Sequence, residues 1–231
     1  MERPGRRREV SGQHGTVNSL GTRQRYNELA GRNIDRLGGL SDGIFAVAMT
    51  LLVLGLGVQG LKDVNTDTAL WDELSKLGPN VLIYMMSFMT LGIFWVGQGA
   101  QVSQLARSDR NYSWLQLTFL FAVTLVPFST ALLARFPTLR LALVEYWLNI
   151  VLLGLMLLAG LEYALHADLL GEEVRGTAPR LIRGRIVIAQ ALYAAAVALS
   201  VFLPTWVSIV AIILIQLNYV IAPRIPFLHR F

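Results

Sequence analysis

Cysteine is absent from the 231 residues, which removes thiolate metal sites, thiol nucleophiles and disulfides, and leaves the redox compartment unreadable. Charge is scarce: 15% of residues are charged against 54% hydrophobic, with a mean hydropathy of +0.52. An ordinary soluble domain is more polar than that, so the composition describes an all-α integral membrane protein. Lysine occurs only at Lys62 and Lys76, and the other 18 of the 20 basic residues are arginine. Histidine occurs three times, at His14, His166 and His229, in the tail or at membrane edges. Without cysteine, deep histidine or a His-Glu-x-x-His pattern, the apolar runs hold no convergent acid, base or metal-ligand set. Intramembrane catalysis and a bound cofactor are therefore not expected. Ser41 beside Asp42 lacks the base a nucleophile needs. No helix repeats arginine every third residue, so voltage sensing has no support either.

What is present is long uncharged sequence. Residues 43–61, 77–106, 111–134, 146–161 and 186–223 carry no charged side chain. A bilayer crossing takes roughly 20 residues, and the last run would make a single helix roughly 57 Å long, about twice the hydrocarbon thickness. Pro204 disfavours helix at the residue before it and lacks an amide donor, so that run splits there. Six crossings follow, at about 34–60, 78–106, 111–135, 140–166, 182–203 and 204–222, within a transmembrane domain spanning 33–223. Alternation places 16 basic residues on the side of both termini and four on the other. That ratio assigns both termini to the cytoplasm. Residues 1–32, with Arg6-Arg7-Arg8 and few large apolar side chains, read as a disordered basic cytoplasmic tail, and 224–231 as a short C-terminal one. The tail is read as topogenic and lipid-attracting, not as a nucleic-acid arm. The loop over 59–79 carries Asp63, Asp67, Asp72 and Glu73 and makes the outer mouth mildly acidic.

The first crossing opens Arg36-Leu37-Gly38-Gly39-Leu40-Ser41-Asp42-Gly43-Ile44-Phe45-Ala46-Val47-Ala48-Met49-Thr50-Leu51-Leu52-Val53-Leu54. An arginine and an aspartate stand at the lip of an apolar helix, where a charge is costly unless paired or wetted. Six residues separate them, about 240° of rotation, so they do not share a face and should bond to other helices or to a neighbouring subunit. Snorkelling of Arg36 and dipole stabilisation of a wet Asp42 remain the plainer alternative.

The pattern Arg36-x-x-x-Leu40-Ser41-Asp42 and the apolar residues after it resemble the signature of the transmembrane protein 175 family, potassium channels of endolysosomes and bacteria, whose motif has phenylalanine where Leu40 stands. Ser87-Phe88 and Phe94-Trp95 in the second crossing, and Pro127-Phe128-Ser129-Thr130-Ala131-Leu132-Leu133 ending the third, are similar to family landmarks. Gln98 stands where a histidine commonly follows the second-helix tryptophan, and an amide cannot carry a proton-switched charge. The resemblance implies a homotetramer of six-helix subunits whose first helices line a central pore. It further implies pore positions Val47, Thr50, Leu51 and Leu54, with Val47 at the constriction. It also implies that Arg36, Leu40, Ser41 and Asp42, with Trp95 and Gln98, form a bonding cluster that fixes the first helix. The i, i+4, i+7 spacing of 47, 51 and 54 puts them on one helix face, although such a stripe in a membrane helix more often faces lipid or is plain packing, and only the motif beside it favours a pore. A Val47 ring offers no oxygen to replace hydration water, so it would gate by dewetting, and Thr50 would supply the only side-chain oxygens to a passing potassium ion. The expected partners are potassium and other monovalent cations, the lipid bilayer of a bacterial cell membrane, and three further copies of the chain. A six-helix secondary transporter for a cation or small solute is the rival reading, carried by Gly92, Gly97, Gly99, Glu145 and Glu162.

Overall fold

The structure is a computed structural model that describes residues 14–56, 64–171 and 178–221, with side chains over 34–56, 64–171 and 179–220. Among these residues the chain is helical, with one isolated antiparallel bridge between Leu105 and Leu170. The helices are α1 (His14–Leu54), α2 (Asp67–Lys76), α3 (Gly78–Val102), α4 (Arg110–Arg135), α5 (Arg140–His166), α6 (Ala178–Ala198) and α7 (Thr205–Ile221), with a 3-10 turn at Leu199–Val201.

By length and composition, five described segments can cross a membrane: Ile34–Leu54, Gly78–Val102, Arg110–Arg135, Arg140–His166 and Pro179–Val201. The sixth expected crossing is a shorter apolar helix, Thr205–Val220. The break between the last two falls where the missing amide of Pro204 requires it: α6 tightens into a 3-10 turn, Leu203 N–H donates to Leu199 O at 2.9 Å, and α7 begins at the next residue after the proline.

Four expectations change. The first crossing ends at Leu54 instead of 60, where Gly55 N–H and Leu56 N–H tighten onto Leu52 O and Val53 O. Residues 14–32, expected to be disordered, continue α1 as one helix of 41 residues. The stretch around Arg23-Gln24-Arg25 and Asn27-Glu28-Leu29-Ala30 is made mostly of straight-chain residues that lose little freedom in a helix. Extending an existing helix also avoids the cost of nucleating a new one. Residues 1–13 and 222–231, including the C-terminal tail, lie outside the described residues. The second crossing ends at Val102 instead of 106, because Ala106 N–H and Arg107 N–H turn aside to bond Leu169 O. The loop over 59–79 contains a helix, α2, where none was expected. Thr66 caps it by accepting the Ala69 amide at 3.2 Å, Asp67 and Lys76 complement its dipole, and Pro79 opens the helix that follows.

The long helices pack as neighbours: α4 on α5, α1 on α3 and α4, α3 also on α7, and α6 on α5 and α7. Their shared core takes Phe45 and Leu52 from α1, Ile83, Met86 and Leu91 from α3, Phe119, Val123 and Val126 from α4, Leu143, Ile150 and Leu153 from α5, and Ile209 and Ile212 from α7. Phe119 centres the junction of three helices, with its ring 6.1 Å from Phe45 and 6.5 Å from Phe94. In a bilayer this burial gains no hydrophobic energy over lipid tails, so close packing and hydrogen bonds must hold the bundle. The core supplies such bonds: Thr130 Oγ1 donates to Ser87 Oγ (2.8 Å), Tyr146 OH lies 3.0 Å from Thr90 Oγ1, and Gln216 Nε2 donates to Thr90 Oγ1 (2.6 Å). α3, α4, α5 and α7 are thereby tied in one chain.

The arginine-rich ends of the helices are latched separately. Asp109 caps α4 through the Tyr112 amide (2.7 Å) and accepts the Tyr163 hydroxyl of α5 (2.7 Å). Arg107 Nε donates to Asp168 O at 3.1 Å, and Arg183 of α6 bonds Glu162 of α5 at 2.5 Å.

Candidate pore helix and its anchoring cluster

The membrane half of α1 has two unlike faces. Ser41, Phe45, Ala48 and Leu52 recur at i, i+4, i+7 and i+11 and are all at most 3% exposed, because α3 and α4 cover them. On the other side Leu40, Gly43, Val47, Thr50, Leu51 and Leu54 are exposed, reaching 57% at Val47 and 73% at Leu54. The four expected pore positions thus lie on the side of α1 that no other described helix covers. The Thr50 hydroxyl donates to Val47 O at 2.8 Å, which spends its proton on the helix and leaves its lone pairs outward.

The covered face is fixed at its Asp42 end. Ser41 Oγ donates to Gln98 Oε1 at 3.0 Å in a buried setting, and Trp95 Nε1 donates to Asp42 Oδ1 at 2.8 Å. Residues 41 and 42 are adjacent, while 95 and 98 are one turn apart on α3, so two bonds set both the depth and the rotation of α1 against its neighbour. Four of the six expected cluster residues are therefore brought together. Leu40 is exposed on the open face. Arg36 is exposed as well and has no hydrogen bond or ion pair among the described residues.

The cluster reaches further than the sequence suggested. Gln98 Nε2 donates to Gln116 Oε1 (3.4 Å), and Gln116 Nε2 donates to the Tyr112 hydroxyl (2.8 Å), so a one-way relay of donors runs from α1 through α3 into α4. Gln101 Nε2 ties the same stretch of α3 to Leu157 O of α5 at 3.0 Å. Gly160 leaves room for these amides: a Cβ there would lie 3.4 Å from Gln116 Nε2 and 3.6 Å from Gln101 Oε1. The legible signal was amides and a tyrosine at i, i+3 and i, i+4 in apolar helices, Gln98 with Gln101 and Tyr112 with Gln116. Their residue types alone do not say which helix each amide meets.

Of the residues that suggested a transporter, Glu162 forms its interfacial ion pair with Arg183, and Gly97 packs against Leu157. A Cβ at Gly92 or Gly99 would meet open space. Glu145 is partly buried, and its Oε2 has no hydrogen-bond partner among the described residues.

An apolar groove of about 380 Å³ runs beside α1, lined by Leu40, Gly43, Val47 and Leu51 and closed on the α4 side by Thr124 and Pro127. Its lining is aliphatic apart from the Thr124 hydroxyl, which donates to Phe121 O at 2.7 Å.

Apolar helices of membrane-spanning length, tied by uncharged polar side chains and with their arginines at the helix ends, define a multi-pass α-helical membrane protein. Comparison with known proteins narrows this. Residues 36–127 match the family model described as the endosomal/lysosomal potassium channel TMEM175. A potassium channel of Chamaesiphon minutus is 33% identical over 178 residues, covering 75% of this chain and 87% of that protein. A potassium channel of Streptomyces collinus is 38% identical over 101 residues, 44% of this chain and about half (48%) of that protein's length. The crystal structure of a lysosomal potassium-selective channel TMEM175 homologue from Chamaesiphon minutus superposes with a TM-score of 0.69 at 25% identity, over 84% of this chain and 99% of that one. The chain belongs to the TMEM175 family.

Proposed function

We propose that this chain is the subunit of a potassium-permeable cation channel in which four copies place their α1 helices around a central pore. The observation that carries the reading is the two-faced α1. Its Ser41–Phe45–Ala48–Leu52 side is packed and hydrogen-bonded, while its Val47–Thr50–Leu51–Leu54 side is left uncovered by the described helices. The bacterial relatives are themselves described as potassium channels, which supports giving that open side to ions instead of lipid.

In this arrangement Val47 forms the narrowest ring, with Leu51 and Leu54 as further rings along the axis. Aliphatic walls cannot replace an ion's hydration shell, so a narrow Val47 ring empties of water and closes, and a wider one passes a partly hydrated ion. Thr50, with its proton held by Val47 O, presents acceptor oxygens to a passing potassium ion. The carboxyl ends of four α1 helices and the acidic residues of α2 add a field that favours cations. Both chain ends face the cytoplasm of a bacterial cell, on the 16 to 4 distribution of basic residues.

Purified protein in liposomes, assayed for potassium, sodium and caesium flux, tests this. Passive flux down the ion gradient with single-channel steps is expected, whereas saturable flux coupled to a second solute points to a transporter. Val47→Ala raises leak current and Thr50→Ala shifts the reversal potential under mixed potassium and sodium. Currents unchanged by both substitutions remove these residues from the pore.

A further inference from the structure

We propose that α2 is an interfacial anchor whose Trp71 face lies on the lipid headgroup boundary at the membrane surface where α3 begins. At 100° per residue, Leu70, Trp71, Leu74 and Leu77 fall within an arc of about 120° that also holds Asp67 at the first position of the helix, and Thr68, Ala69, Asp72, Glu73, Ser75 and Lys76 occupy the remainder. The bundle does not use this apolar arc. No residue of α2 is buried, Trp71 is 71% exposed, and Leu70 and Leu74 are exposed beside it.

Position selects the occupant. Only Leu77 separates α2 from α3, a helix long and apolar enough to span the membrane, so α2 sits within a turn of the hydrocarbon edge. A short amphipathic helix at that depth places its apolar side among the outer acyl carbons, and an indole ring favours this zone because its body is apolar while its N–H bonds to headgroup oxygens. The opposite arc suits water. Lys76 bonds Glu73, whose hydrogen bond and negative charge hold the ammonium pKa above its usual value. The lipid-facing side therefore carries no unpaired lysine, and Asp72 and Glu73 stay on the aqueous side near the acidic mouth. The inference rests on the membrane reading alone and not on the pore, so ion flux and lipid contact fail separately.

The chain contains no cysteine, so single labels can be introduced without removing native thiols. Trp71→Cys, Leu74→Cys and Asp72→Cys, each in the full-length protein, would be spin-labelled and reconstituted in phosphatidylcholine/phosphatidylglycerol vesicles. Relaxation by oxygen, which concentrates in lipid, would be compared with relaxation by a water-soluble nickel complex. Oxygen should dominate at 71 and 74 and nickel at 72. The Leu74→Cys protein keeps Trp71, so loss of the anchor by the first substitution does not leave the idea untested. Nickel dominance at both 71 and 74 places α2 in water and overturns the proposal. Shielding of both sites from both reagents means that protein covers the face, and overturns it equally.

Discussion

Ser41→Ala separates the two jobs assigned to α1 most cleanly. The Ser41 hydroxyl is 1% exposed and donates to Gln98 Oε1 at 3.0 Å. Replacement by alanine removes one oxygen, opens almost no cavity, and leaves Gln98 Oε1 without that donor. Hydrogen bonds between membrane helices average about 0.6 kcal/mol and reach about 1.7 kcal/mol, and an orphaned buried acceptor costs about 1–3 kcal/mol in water-soluble cores. The better helix propensity of alanine offsets about 0.5 kcal/mol. The balance is a destabilisation of about 0.5–2 kcal/mol per subunit. Size-exclusion chromatography after a temperature ramp in detergent would show it as earlier loss of the oligomer, with the potassium-to-sodium permeability ratio of the surviving channels unchanged. Thr50→Ala is the matched opposite. Its hydroxyl bonds only its own helix, so stability should hold or rise by about 0.5 kcal/mol while the permeability ratio changes. Because Ser41 and Gln98 are in contact, Ser41→Ala combined with Gln98→Leu should cost less than the sum of the single changes. Ser41→Ala protein that is as stable as the parent but altered in ion preference would refute the division of labour between the two faces.

Asp42→Ala deletes the acceptor of the Trp95 indole bond, so reduced expression or oligomer yield is expected, without a change in ion preference; an intact oligomer with altered selectivity contradicts this. Gly154→Ala places a Cβ 2.0 Å from Gln190 Nε2, so that amide must swing away and give up its 3.2 Å bond to Ile150 O. The lost bond and stranded amide outweigh the gain of about 1 kcal/mol in helix propensity, and a lower melting temperature in detergent checks the sign. Replacing Arg183 by Gln should leave transport intact and change stability by less than about 1 kcal/mol, because the Glu162 pair is half-exposed.

Much of the helical frame was legible because its causes are local. Uncharged runs bounded by charged residues mark α3, α4 and α5, and the missing amide of Pro204 marks the break before α7. The contacts of Ser41 and Asp42 with Gln98 and Trp95 were legible by a different route, through the resemblance around Arg36 and Phe94-Trp95, since rotation about one helix says nothing of which neighbour it meets. The helix over 67–76 was hidden because acidic residues dominated the reading of the outer loop. Its markers, Thr66 before Asp67 and leucines spaced at 70, 74 and 77, compete with that charge pattern. The continuation of α1 back to His14 was hidden because scarce apolar residues show only that a segment cannot fold alone. They do not show that it stays uncoiled when joined to a stable helix. Gln116 and Tyr112 were missed because an uncharged polar residue in an apolar helix declares no partner.

The central claim is that the open side of α1 faces water and ions. The cysteine-free chain allows a direct measurement: single substitutions Val47→Cys, Leu51→Cys and Leu54→Cys, with Leu155→Cys on an exposed position of α5 as control, are exposed to a charged, water-soluble thiol reagent during current recording. The account predicts block at 51 and 54, block at 47 only while the channel is open, and none at 155. Modification-resistant currents at all three α1 positions would place that stripe against lipid and contradict it.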